Sequence, residues 1–304
     1  MARLVFLGTP EAAVEPLHTL VRAGHDVALV VTRADKRRGR GSALVPSPVK
    51  AAATALGLPV TSSLDDAVVS GAELGVVVAY GRIVPVAVLD RLPMVNLHFS
   101  LLPRWRGAAP VERAILEDDA ETGVCLMAVE AGLDTGGIYA EVATAIEEEE
   151  TAEDLRARLV GLGCGLLEEH LADGRAGLPR PHDQAGTPSY AEKILPAERE
   201  LHWDQPGAQL RRVIRVGRAW TTFRHHRLGV VAASAVPDAE GPATPPGAAG
   251  ALVGTDVWAG DGSRVRLVTV HPEGKRPMAA DEWIRGVRPS PDERLGPWTA
   301  AGHQ

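Results

Sequence analysis

Apolar runs of strand length alternate with helical stretches along the first hundred residues, and that alternation narrows the available folds more than any other feature. "RLVFLG" at residues 3–8 reads as a buried strand, "TPEAAVEPLHTLVRAG" as a helix ending at Gly24, and "HDVALVVT" as a second strand. "ELGVVVAYG" is a third strand and a fourth runs into Asn96, with "VKAAATALG" and "PVAVLDRL" as intervening helices. Strands that are apolar throughout are buried on both faces, so the alternation calls for an α/β sheet, largely parallel and covered on both sides. "GVCLMAVE", "GIYAEVATAI" and the long helical stretch "AEDLRARLVGLGCGLLEEHLADG" extend this part.

Residues 173–206 contain several prolines and read as a loop-rich linker. Beyond it "GAQLRRVIRVG" is helical. The runs "AWTTFRHH", "RLGVVAASAV", "GALVGT", "DVWAG" and "RVRLVTVHP" are short strands at the spacing of a small barrel or sandwich. "EGPATPPGAAG" is a low-complexity loop within them. A chain of 304 residues is long for one core, and the expected organisation is a Rossmann-like domain over 1–200 and a small β-rich domain over 201–304.

Composition excludes several functions. No apolar run is long enough for a membrane helix, and the N-terminal "MARLVFLGTPEAA" reads as a strand rather than a signal peptide, so a cytoplasmic location is expected. Cys125 and Cys164 lie in apolar surroundings without metal-ligand spacing. The net charge of −7 opposes indiscriminate nucleic-acid binding, yet residues 193–304 carry 15 basic against 12 acidic side chains. That asymmetry suits an anionic partner, and chance scatter of solvated charge produces it equally well. The first βα turn is "GTP", not GxGxxG; Pro10 removes a donor where a dinucleotide fold presents amides to pyrophosphate, which disfavours nicotinamide and flavin chemistry.

The candidate chemistry lies in "VNLHFSLLPRWRGAAP", residues 95–110. Residues two apart on a strand share a face, so Asn96 and His98 point the same way at a strand terminus, where α/β sheets bind ligands. An amide and an imidazole there suit a reaction that builds charge on a carbonyl oxygen; alone, such a pair more often satisfies local backbone. Asp134, in "EAGLDTGG", is either a turn former or the carboxylate that orients His98. No serine or cysteine is placed as a nucleophile, which favours direct transfer between two bound substrates.

"NLHFSLLPRWRGAAPVERAI" together with "GLDTGG" resembles the folate-dependent formyltransferase core. "VFLGTPEAAVEPL", "GRGSALVPSPVK", "VVVAYGRIVP", "SYAEKI", "LHWDQP" and "HPEGKRPM" extend the resemblance across the chain, toward the methionyl-tRNA formyltransferase family. The resemblance implies a second domain that is an OB-like barrel. It implies transfer of the formyl group of 10-formyltetrahydrofolate to the methionyl α-amino group of initiator methionyl-tRNA, with no metal, by a monomer. Asn96 and protonated His98 would hold the oxyanion, and Asp134 would keep His98 charged and oriented. Ser100, Leu101, Leu102 and Pro103 would line the folate site, with the backbone of Arg82, Ile83 and Val84 along the pterin. Lys36, Arg37, Arg38 and Arg40 would enter the acceptor stem, and Arg211, Arg212, Arg215, Lys275 and Arg276 would take the tRNA backbone. Three features depart from the family pattern: Phe99 replaces a small residue, Ala12 an aromatic one, and "RVGRAWTTFRHHRL" a proline- and aromatic-rich segment. A sugar-nucleotide N-formyltransferase shares the Asn–His–Asp core, but the basic loop and "PEGKRPM" favour tRNA. A pure RNA-binding module would need none of the three core residues.

Overall fold

The computed structural model describes residues 1–37, 44–237 and 248–296. The chain forms two compact units. The first comprises Met1–Ala114, Ala120–Ile146 and Asp154–Lys193; the second begins at Ile194 and also takes in Ile115–Asp119 and Glu147–Glu153.

The first unit is built on a seven-stranded sheet in the order Ile138–Ala145, Glu121–Ala128, Met94–His98, Leu74–Val78, Arg3–Gly8, Asp26–Val31, Val60–Thr61. The five strands from Met94–His98 to Val60–Thr61 are parallel, and the remaining two pair antiparallel. Strand Leu74–Val78 is buried at every position, as its unbroken apolar run requires. From Arg3–Gly8 the chain first builds outward through Asp26–Val31, then returns to pair Leu74–Val78 on the other side. That reversal opens a crevice at the carboxyl ends of Arg3–Gly8 and Leu74–Val78, which end in register at Gly8 and Val78.

Local sequence explains how the covering helices fit. Ser47 caps Pro48–Ala55 by accepting from the Lys50 N–H at 3.0 Å, with proline at the first helical position. Helix Ala152–His170 buries Leu155, Leu159 and Leu167. It lies so close to strand Met94–His98 that a Cβ on Gly163 would come within 3.1 Å of Leu97 Cδ1.

Residues 173–206 do not act as a simple linker. His182 bridges Ile138, and Tyr190–Ala191 form a short parallel ladder with Arg106–Gly107, so this stretch straps back across the first unit. The division between units falls at Lys193/Ile194, a few residues before position 200, because residues 196–200 are tied to the second unit: Pro196 accepts from the Trp220 indole, Arg199 donates to the Gly217 carbonyl and Glu200 bridges Trp220.

The second unit is mostly strands. Its sheet has the order Ala219–Phe223, His226–Ala235, Arg264–Pro272, Asp256–Trp258, Leu252–Val253, and Met278–Ala279 also pairs with Arg264–Pro272. Among the described residues the sheet does not close on itself: Ala219–Phe223 and Leu252–Val253 remain opposite edges. Helix Gly207–Val216 contributes Leu210 and Ile214 to the core, and helix Ala280–Val287 contributes Trp283. The Trp283 ring meets Phe223 edge-on, with centroids 5.1 Å apart and planes at 77°. Trp283→Ala is expected to destabilise the second unit by about 3–5 kcal/mol, measured by urea unfolding, because the indole is 95% buried or more and nothing smaller fills its place.

Candidate active site

Strand Met94–His98 ends at the carboxyl edge of the sheet, between Leu74–Val78 and Glu121–Ala128. Asn96 and His98 face a cavity of about 530 Å³ that sits at the sheet's reversal point. Pro10, Ala79–Val84, Gly107, Ala108 and Glu130–Asp134 complete most of its wall. The turn after Leu74–Val78 needs two left-handed positions, Ala79 at φ 46° and Gly81 at φ 78°, to bring Arg82–Val84 to the mouth. Thr9 steadies this turn from the first βα connection by donating to the Tyr80 carbonyl at 3.1 Å.

His98 is 5% exposed and its two ring nitrogens have different partners. Nε2 lies 2.8 Å from the Trp105 carbonyl, which can only accept, so Nε2 carries a proton. Nδ1 faces Asp134 Oδ2 at 3.6 Å. Nδ1 is therefore the nitrogen whose proton can come and go at the cavity, with a carboxylate beside it. Asp134 adopts φ 51°, a left-handed conformation that Asp tolerates better than most residues, and its Oδ2 accepts from the Gly107 N–H at 2.8 Å. The turn-forming and the functional readings of Asp134 thus describe one residue: the turn is what aims the carboxylate. Gly136 allows this loop to lie on the strand end, since a Cβ there would come within 2.1 Å of the Ala128 carbonyl oxygen.

The structure brings Asn96, His98, Asp134, Arg82, Ile83 and Val84 to one cavity. Ser100, Leu101, Leu102 and Pro103 continue the chain directly beyond His98 and are not among the residues that line this cavity. The Ser100 hydroxyl is buried and donates to the Arg104 carbonyl at 2.6 Å, and Leu102 packs into a core cluster with Cys125, Met127 and Ile138. These residues support the loop that carries the Trp105 carbonyl back to His98. Phe99, next to His98, is among the lining residues and is itself buried. Cys125 stands opposite His98 in the neighbouring strand, but burial pushes its thiol up to about 12, leaving no thiolate nucleophile there.

Of the basic residues singled out in the sequence, Arg38 and Arg40 lie outside the described residues, and Lys36–Arg37 form a backbone ladder with Leu44–Val45. In the second unit, Arg212 pairs with Asp118 at 2.5 Å. Arg215 donates to the Glu150 carbonyl at 2.8 Å and the Glu147 carbonyl at 2.9 Å. These two guanidinium groups find their partners within their own unit. Arg211 is half-buried, while Lys275 and Arg276 are exposed on the turn after strand Arg264–Pro272.

Several residues at the site carry no sequence signature. Trp105 and Gly107 act through their backbones, and Gln184 and Ser189 come from the strap. Ser189 Oγ accepts from the Trp105 N–H at 3.0 Å, and Gln184 donates to the carbonyls of Asp134 and Gly136. A polar side chain in a proline-rich stretch looks like any solvated loop residue until the strap is placed.

Comparison with known proteins agrees with this geometry. The formyl transferase family matches residues 2–170, and the formyl transferase C-terminal domain matches residues 193–288. The methionyl-tRNA formyltransferase of Heliobacterium modesticaldum is 39% identical over 97% of this chain and all of that protein. That of Dinoroseobacter shibae is 43% identical over 94% of this chain and 97% of its own length. Among solved structures, the fold resembles an N-formyltransferase from Helicobacter canadensis in complex with folinic acid and dTDP-3-aminofucose. That chain has a TM-score of 0.66 and 18% identity, over 88% of this chain and 99% of the other. It also resembles HypX from Aquifex aeolicus in complex with tetrahydrofolic acid, with a TM-score of 0.64 and 14% identity, over 93% of this chain and 47% of that one. With an Asn–His–Asp cavity at the switch point of its sheet and both domain matches in order along its length, the chain belongs to the formyltransferase family.

Proposed function

We propose that the chain transfers the formyl group of 10-formyltetrahydrofolate to the α-amino group of methionine on initiator methionyl-tRNA, in the cytoplasm and as a monomer. The observation that carries this reading is the convergence of Asn96, His98 and Asp134 on one cavity. The relatives named above, similar over nearly the whole of both chains, support the choice of acceptor. In this reading the pterin lies along the backbone of Arg82, Ile83 and Val84, and Ser100, Leu101, Leu102 and Pro103 border the folate from the segment that follows His98.

The amine nitrogen attacks the formyl carbon, forming a C–N bond while the carbonyl electron pair moves to oxygen. The Asn96 amide and the Nδ1–H of protonated His98 meet that oxyanion, donors aimed at charge present only after attack. Collapse restores the carbonyl and breaks the bond to the folate nitrogen, which takes up a proton as the attacking amine gives one up. Asp134, beside Nδ1, balances the imidazolium charge while this occurs. Both substrates react directly, and no residue forms a covalent intermediate.

For the tRNA we assign Lys36, Arg37, Arg38 and Arg40 to the acceptor end, and Arg211, Lys275 and Arg276 to phosphates. Arg212 and Arg215 brace the helix that presents Arg211. The second unit is read as an OB-like barrel.

A paired assay tests the acceptor: with 10-formyltetrahydrofolate supplied, the protein is expected to formylate methionyl initiator tRNA and to leave an amino-sugar nucleotide untouched. The reverse outcome identifies a sugar formyltransferase. Asn96→Ala is expected to lower kcat by about 10²–10³, about 2.7–4 kcal/mol of lost transition-state stabilisation, with folate affinity nearly unchanged. Turnover close to that of the unaltered protein would show that Asn96 only supports the strand end.

A further inference from the structure

The loop that carries Asp134 has little packing of its own. Ala131, Gly132 and Leu133 are exposed, and Asp134 itself sits in a left-handed conformation. Something other than a hydrophobic core must hold the carboxylate against His98, and the strap over residues 182–191 supplies it. The amide nitrogen of Gln184 donates to the Asp134 carbonyl at 2.8 Å and to the Gly136 carbonyl at 2.9 Å. Its amide oxygen accepts from Arg106 Nη2 at 2.6 Å and Nε at 3.1 Å. Carbonyls only accept and a guanidinium only donates, so the orientation of the amide is fixed by its partners.

We propose that Gln184 is a positioning residue for formyl transfer, setting the Asp134 carboxylate against His98. The inference rests on the reading of the cavity given above. The geometry is specific. Arg106 precedes Gly107, whose N–H binds the Asp134 carboxylate, and Gln184 grips the backbone of Asp134 on one side and Arg106 on the other. One side chain therefore holds both ends of the link between Asp134 and Gly107. The opposite loop is pinned by the same strap: Ser189 Oγ takes the Trp105 N–H, and the Trp105 carbonyl takes the His98 Nε2 proton. Neither the imidazole nor the carboxylate is oriented by the sheet alone.

A double-mutant cycle on the full-length protein separates positioning from general support. Gln184→Ala, the length-matched Gln184→Met, Asp134→Asn and the combined variants are compared by single-turnover formyl transfer to methionyl initiator tRNA, equilibrium folate binding and thermal unfolding. Gln184→Ala and Gln184→Met are each expected to slow single turnover about 10–100-fold, with folate affinity and the unfolding midpoint little changed. In the Asp134→Asn background the same changes are expected to add less than about twofold, because the group they position has already been altered. An equal loss in both backgrounds, or a silent Gln184 change where Asp134→Asn is slow, overturns the proposal alone. An Asp134→Asn protein as fast as the unaltered one overturns the reading of the cavity, and this proposal with it.

Discussion

The hydrogen bond from His98 Nε2 to the Trp105 carbonyl, at 2.8 Å, decides what the rest of the cavity can do. A backbone carbonyl accepts and never donates, so this contact commits one nitrogen of the ring permanently to carrying a proton. The other nitrogen is left toward Asp134, where a carboxylate lies close enough to balance charge without holding the ring as tightly as a direct hydrogen bond would. The imidazole can therefore change its protonation at one atom while keeping its orientation. That combination suits a step in which charge appears on a substrate oxygen and then disappears.

The fold places this arrangement through three layers of constraint. The parallel sheet brings the end of strand Met94–His98 beside the reversal point, where a ligand can enter between loops. Helix Ala152–His170 covers one side of that strand, close enough that a Cβ at position 163 would press on Leu97 at 3.1 Å. Two loops, through Trp105 and through Asp134, then close on His98, and a strap from far along the chain ties both down. The sheet fixes where the imidazole is, and the loops and strap fix how it is used.

Much of this was legible before the fold was known. The period of two along a strand put Asn96 and His98 on one face, and the unbroken apolar runs implied a buried parallel sheet. Asp134 was legible only as one of two readings, because 36 residues separate it from His98 in the chain and only folding or a family resemblance unites them. Ser100–Pro103 take a folate role from the family resemblance alone, since nothing in their pattern marks one; in the structure Leu102 packs with Cys125, Met127 and Ile138. Gln184 and the Trp105 carbonyl left no trace in the pattern, one because it sits in a stretch that reads as a linker, the other because every residue has a carbonyl. Basic residues were the least informative class: sequence alone does not show that Arg212 pairs with Asp118 or that Arg215 meets the Glu147 and Glu150 carbonyls.

The most direct test of this account is the nitrogen-15 NMR spectrum of the His98 imidazole, which reports the tautomer of the neutral ring. A ring whose neutral form carries its proton on Nε2, with Nδ1 the bare nitrogen, is expected. A neutral ring protonated at Nδ1 with a bare Nε2 would contradict it, because the Trp105 carbonyl could not then hold the imidazole in place.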